Sequence, residues 1–280
     1  MKKQFKRAFL EITNICNLSC EFCVKSSSPK CFMKPEKFET IVAQVKLFTS
    51  TVSPHVLGEP FMHPQLPEIL SICSAQKIDI SLVTNGTLID KFGSDIFKEK
   101  CLKQISFSLH ALESFPKKER LKKLNRLIEF TKTRPSNIII SFRLRGNREA
   151  PFLKETYDYI LNAFPDKIIT KYKDGLRLAD KTYLNFELFF KWPGQGGKRE
   201  KKGCQGLQHH FAVLCSGEIV PCCLDYDGKL PIGNINNKPL ADILSSPLAI
   251  RLKNSIAGKT PIPEYCATCG FIAPGTPKEI

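Results

Sequence analysis

Along this 280-residue chain the apolar residues change spacing in a regular way. Short runs rich in β-branched and aromatic residues predict strands, and the segments between them repeat their apolar positions every three to four residues, as amphipathic helices do. The run Ala8-Phe9-Leu10-Glu11-Ile12-Thr13 predicts a first strand that ends at Ile15. A helix is expected from Pro35, with Phe38, Ile41, Val42, Val45 and Phe48 on one face, since proline suits a first helical turn. Strands are then expected over 52–57, 78–83, 105–109 and 138–144, with helices over 66–76, 90–101, 117–134 and 151–164. A sixth strand is expected from Ile168, interrupted at Lys173-Asp174-Gly175. Strand and helix in alternation imply a parallel sheet with helices outside it. Six such units are too few to close an eight-stranded barrel, so the expectation is an α/β fold, an open partial (β/α)6 barrel over residues 1–190. Its functional groups should gather at the carboxyl ends of the strands. From about Gly194 the helical periodicity stops, and residues 191–280 are expected to form a small second domain with a hairpin over 216–222 and a helix over 240–245.

Composition changes this picture in three respects. The apolar fraction, 42%, is that of a chain with a real core, and no apolar run approaches membrane-spanning length. The start, Met1-Lys2-Lys3-Gln4-Phe5-Lys6, lacks the apolar stretch of a signal peptide, so a cytoplasmic protein with no membrane partner is expected. Twelve cysteines in that compartment favour metal ligands over disulfides. The net charge of +15 fits a solvated basic surface, a docking face for an acidic protein, or a nucleic-acid partner. The densest basic run, 117–134, carries Leu121, Leu124, Leu127 and Ile128 at helical spacing, so its charges are expected on the outer face of a helix.

The candidate chemistry lies at the predicted strand ends. After strand one, Cys16, Cys20 and Cys23 follow C-x3-C-x2-C, a spacing that sets three thiolates on one tight loop and leaves a fourth metal position open. A zinc knuckle would use similar ligands. After strand two comes Leu57-Gly58-Glu59-Pro60, where glycine allows backbone to approach a ligand closely, or simply makes a turn. Thr84-Asn85-Gly86 follows strand three, Ser108 lies in strand four, and Arg143 sits in the apolar strand five, where it needs a partner to be buried. In the last part Cys204, Cys222 and the pair Cys266-Ala-Thr-Cys269 would suit a cluster or a structural zinc. Cys223 is expected to face away from Cys222 along an extended segment, and Cys31, Cys73 and Cys101 read as loop or packing thiols.

The triplet with Gly58-Glu59-Pro60 resembles the radical S-adenosylmethionine (SAM) enzymes, whose fold is a partial TIM-like barrel. The departure is Leu57, where the family has a first glycine. The resemblance implies a 4Fe-4S cluster on Cys16, Cys20 and Cys23, with SAM contacted by Phe22, Gly58, Glu59, Pro60, Asn85, Ser108 and Arg143. The cysteine spacing of the last part resembles the shortened SPASM, or twitch, domain, which implies one auxiliary 4Fe-4S cluster on Cys204, Cys222, Cys266 and Cys269. It is spaced as in a small group that includes an aminocyclitol dehydrogenase. The run from His55 to Pro64 is also similar to queuine lyases. The implied activity is reductive cleavage of SAM to a 5'-deoxyadenosyl radical that abstracts hydrogen from a small polar substrate, a deazapurine or an alcohol. The implied electron donor is a flavodoxin or ferredoxin. Peptide modification and a zinc-stabilised nucleic-acid module remain the alternatives, and nucleic acid is the less expected partner because no basic-aromatic recognition motif stands out.

Overall fold

A computed structural model of the chain describes residues 3–164, 170–172, 175–198 and 204–271. In chain order the first half runs β1 (Arg7–Leu10), α1 (Pro35–Val45), β2 (Thr51–Ser53), α2 (Leu66–Ala75), β3 (Asp79–Thr84), β4 (Leu102–Ser108), α3 (Lys117–Thr133), β5 (Ile139–Arg145) and α4 (Pro151–Ala163). It continues with β6 (Thr170–Tyr172), β7 (Gly175–Ala179), β8 (Thr182–Glu187), β9 (His210–Val213), β10 (Glu218–Val220), β11 (Gly233–Asn234), α5 (Leu240–Leu244), α6 (Pro247–Ile256) and α7 (Glu264–Ala267). The strands form one sheet in the order β11-β10-β9-β1-β2-β3-β4-β5-β8-β7-β6. β1, β2, β3, β4, β5 and β8 run parallel, which makes the open (β/α)6 barrel.

The core lies between this sheet and its helices. Phe38, Phe61, Phe107 and Phe142 are fully buried, and the Phe107 and Phe142 rings stack 5.8 Å apart on neighbouring strands. Such a pair adds about 0.5–1.5 kcal/mol beyond the area it buries. Helix α3 buries Leu124, Leu127 and Ile128 and turns its lysines outward, as its spacing implies.

Two elements differ from their predicted form. Residues 90–101 hold only a 3-10 turn, Asp95–Lys98. Gly93 at φ +71° breaks the helical path there, leaving Ile96 and Phe97 as the two buried anchors of the turn. The sixth parallel strand is β8, not a strand beginning at Ile168, which lies outside the described residues. β6, β7 and β8 instead form an antiparallel meander, and its last strand pairs with β5. The alternation in Thr182, Leu184 and Phe186, all buried, was the available signal.

β9 joins the free edge of β1 in parallel, Ala8 opposite Phe211 and Leu10 opposite Val213. The C-terminal segment therefore extends the barrel sheet. The hairpin β9–β10 turns at Gly217, φ +96°, where a Cβ would stand 2.5 Å from the Asn236 side chain.

Candidate active site

Immediately after β1 the chain changes from apolar to polar while staying buried: Glu11, Thr13 and Asn14 are all under 7% exposed. Thr13 and Asn14 close the base of the long loop that leads to α1. Thr13 Oγ1 donates to the Cys31 carbonyl at 2.8 Å, and Asn14 Nδ2 donates to the Pro29 carbonyl at 2.8 Å. Asn14 Oδ1 accepts from the Cys31 amide at 3.0 Å. With its base pinned, the loop lifts Cys16, Cys20 and Cys23 above the strand ends. Cys16 and Cys23 are exposed and Cys20 half-buried. Burial, followed by the neighbouring Cys16 and Cys23, raises the Cys20 thiol to about 11, so the three sulfurs lie within electrostatic reach of one another. A cationic cluster would reverse that penalty by binding the thiolates.

The Gly58-Glu59 turn docks against this loop. Gly58 has φ +74°, and a Cβ there would stand 2.4 Å from the Thr13 carbonyl oxygen, so the two backbones meet at a distance only glycine permits. The Glu59 amide donates to the Ile15 carbonyl at 2.9 Å. The Glu59 carboxylate is 1% exposed and already accepts from three donors: Phe61 N at 3.1 Å, Thr84 Oγ1 at 2.7 Å and Asn85 N at 2.7 Å. Burial raises its pKa, and these three donors act against the rise. Glu59 thus ties the β2 turn to the end of β3. Asn85 continues the chain of contacts, donating through Nδ2 to Asn17 Oδ1 at 3.0 Å and to Cys16 Sγ at 3.9 Å.

A cavity of about 510 Å³ opens at these strand ends. Cys16, Cys20, Phe22, Cys23, Gly58, Glu59, Asn85 and Ser108 all line it. Pro60 does not; it is buried as the first residue of the 3-10 turn Pro60–Met62. The Phe22 ring packs against His110, 4.9 Å away, and stacks on Phe189 at 5.1 Å, while the Phe22 carbonyl accepts from Trp192 Nε1 at 3.1 Å. The segment after β8 therefore covers the cysteine loop. Three thiols around one cavity with a glycine-bared backbone beside them are a donor set that fits a cluster and a bound ligand.

Arg143 lies elsewhere. It lines a second cavity, about 440 Å³, with Arg145, Cys204, Cys222 and Cys223, and its guanidinium pairs with Glu187 at 3.4 Å. Arg145 pairs with the same carboxylate at 2.7 Å. Burial raises the Glu187 pKa, but Arg143 and Arg145 outweigh it and hold the group below the ordinary range. His55, Val56, Val83, Ser108, His110 and Trp192 line both cavities, so the two spaces adjoin.

Of the four C-terminal candidates, Cys204 and Cys222 share the second cavity, whereas Cys266 and Cys269 lie at α7, Cys269 only 5% exposed. Cys223 corrects the expectation that it faces away. The chain turns after β10 instead of staying extended, and the side chains of His210, Cys222 and Cys223 converge with their ligand atoms within 4.8 Å of one another. The thiols of Cys222 and Cys223 hydrogen-bond, which raises the first and lowers the second. Cys31 is also not a packing thiol: it forms a disulfide with Cys215, joining the base of the cysteine loop to the β9–β10 hairpin. Glu11 reinforces that junction, accepting from Leu57 N at 3.2 Å and Cys215 N at 3.1 Å. Its one signal in the sequence was a charge inside an apolar run.

Residues 10–135 match the Radical SAM superfamily, and residues 204–270 match SPASM, an iron–sulfur cluster-binding domain. The chain belongs to the radical SAM superfamily and carries a C-terminal SPASM-like domain. Membership gives this radical SAM enzyme its cofactors, SAM and two 4Fe-4S clusters. A GTP 3',8-cyclase of Chlorobaculum tepidum is 28% identical over 159 residues, 52% of this chain and 48% of that protein. A probable GTP 3',8-cyclase of Methanococcus vannielii is 34% identical over 126 residues, 42% of this chain and 41% of that protein. The radical SAM chain thus spans under half the length of these relatives. Among solved structures, BtrN in complex with AdoMet and 2-DOIA has a TM-score of 0.57 at 18% identity, covering 100% of this chain and 98% of BtrN. Streptococcus suis SuiB bound to its precursor peptide SuiA has a TM-score of 0.64 at 18% identity, covering 95% and 70%. These likenesses show the fold. Among the described residues no helix is long and apolar enough to cross a membrane.

Proposed function

We propose that Cys16, Cys20 and Cys23 hold the SAM-binding 4Fe-4S cluster, and that SAM lies in the first cavity against Phe22, Gly58, Glu59, Asn85 and Ser108. The observation that carries this reading is that Cys16, Cys20, Cys23 and Gly58 all line one cavity at the carboxyl ends of parallel strands. When bound, the cluster supplies an electron that cleaves SAM to methionine and a 5'-deoxyadenosyl radical. The chain's own residues do the rest. Glu59 and Asn85 fix the loop geometry through their shared hydrogen bonds, and the contacts of Phe22 with Phe189 and Trp192 hold the cysteine loop over the cavity. Pro60 acts from behind by setting the turn, and Arg143 faces the second cavity.

The division at about residue 190 and the auxiliary ligand set Cys204, Cys222, Cys266 and Cys269 are part of the same proposal, with Cys204 and Cys222 bordering the second cavity. A substrate in the second cavity would adjoin the first cavity on one side and Cys204 and Cys222 on the other, an arrangement that would suit hydrogen abstraction from a deazapurine or an alcohol, with an auxiliary cluster on those cysteines available as a redox partner when bound. The curated relatives are named as cyclases of a nucleotide, which favours a nucleotide-like or base-like substrate over a peptide. The +15 charge suits docking of an acidic flavodoxin or ferredoxin in the cytoplasm. Anaerobically reconstituted protein with dithionite and SAM should form 5'-deoxyadenosine, and the Cys16→Ala/Cys20→Ala/Cys23→Ala variant should not. Zinc without iron in anaerobically purified protein would overturn the proposal.

A further inference from the structure

The second cavity has an unusual lining. Lys6, Arg7, Arg143 and Arg145 face it, and no carboxylate lines it among the described residues. Glu187 pairs with Arg143 and Arg145 from outside that lining, so one negative charge serves two guanidiniums. Arg7 makes no ion pair among the described residues although it is half-buried. One imidazole adds to this: His55 Nδ1 is buried without a hydrogen-bond partner, its ring edge-on to Phe9 at 5.5 Å, whereas the His210 ring, on the other side of Phe9 at 5.2 Å, is turned toward the Cys222 and Cys223 thiols. A buried polar atom without a partner, beside cations in excess, is what a site looks like when it is shaped for a ligand that supplies the acceptors.

We infer that the second cavity is the substrate subsite and that it takes an anionic small molecule, one bearing a carboxylate or a phosphate. The inference rests on the radical SAM reading of the adjoining cavity and narrows it: a neutral base or a neutral cyclitol would leave Arg7 and one of the two β5 guanidiniums uncompensated. The arginine pair on β5 presents planar donors suited to a two-oxygen acceptor. Arg145 is also held in place by stacking over Phe190, 5.3 Å from the ring centre. The competing role for these cations is to balance the thiolates of an auxiliary cluster, since Arg7 and Arg145 both act on Cys223.

The test is anaerobic titration calorimetry on reconstituted holoenzyme with SAM saturating, using pyrophosphate, succinate and the neutral tetraol erythritol as probes. Saturable binding of pyrophosphate or succinate, and none of erythritol, is expected, and which anion binds tells phosphate from carboxylate. Arg7→Gln, which breaks no ion pair, should weaken that binding about tenfold, the loss of one charge-assisted contact. Arg145→Gln should do the same, and Glu187→Gln should tighten it. Failure of both anions to bind, while SAM still binds and 5'-deoxyadenosine still forms, overturns the anionic subsite and leaves the radical reading standing. Unchanged anion affinity in Arg7→Gln and Arg145→Gln, with a shifted potential of the auxiliary cluster, also overturns it and assigns the cations to the cluster. Absence of 5'-deoxyadenosine would instead be a failure of the radical reading.

Discussion

Glu59 separates two views of the same carboxylate. In the resemblance it meets SAM, whereas in the structure it is spent on three internal donors, two backbone amides and the Thr84 hydroxyl. Glu59→Gln tests which role dominates. With its amide oxygen at the Oε1 position the glutamine still accepts from Phe61 N and Thr84 Oγ1, but its NH2 then points at the Asn85 amide, donor against donor. Reversing the amide moves the conflict to Phe61 N. One buried amide is left unsatisfied either way, at a cost of about 1–3 kcal/mol. Glu59→Ala orphans both amides and should cost about 2–6 kcal/mol, a large part of the stability of an ordinary domain. Because Asn85 also reaches Cys16 and Asn17, loosening its amide should weaken SAM binding as well. Urea midpoints of the metal-free chain and SAM calorimetry on reconstituted protein measure the two effects. Expected is a loss of stability and of SAM affinity together in Glu59→Gln. Full wild-type stability with SAM affinity reduced tenfold or more would refute the argument, since the carboxylate would then act on the ligand alone.

Burial, then Arg145, lowers His110 to about 4, against an ordinary value near 6.5, so the unfolded chain binds its proton first. Stability from this group is complete above about pH 6.5 and is lost as pH falls toward 4, with about 2 kcal/mol gone at pH 5. His110→Phe should flatten the pH dependence of the urea midpoint without abolishing it, since His55 is lowered in the same direction, to about 3; a curve parallel to wild type would contradict this. The Cys31–Cys215 disulfide spans 184 residues, for which chain entropy allows at most about 5 kcal/mol of stabilisation. Dithiothreitol should lower the unfolding midpoint of wild type and leave Cys31→Ser unchanged, and a wild-type midpoint indifferent to dithiothreitol would mean that the bridge contributes nothing in solution.

Most of the barrel was legible in the order of residues, and so were the loop and turn on which the proposed chemistry rests. Five parallel strands and four of the five expected helices follow from apolar spacing, because burying one face of a helix or both faces of a parallel strand imposes a period that the residues must keep. Cys16, Cys20, Cys23 and Gly58 were legible for a similar reason: a tight loop and a positive φ restrict residue type locally. Relations between segments distant in the chain emerged only with the folded molecule. β8 as the sixth strand, β9 on the edge of β1, and the Cys31–Cys215 bridge all depend on pairing that local pattern does not encode. The same holds for the convergence of His210 with Cys222 and Cys223, and for Arg143, which finds its partner in Glu187 on β8. A buried charge announces in the sequence that it needs a partner, but which partner it finds depends on the strand that folding lays beside it.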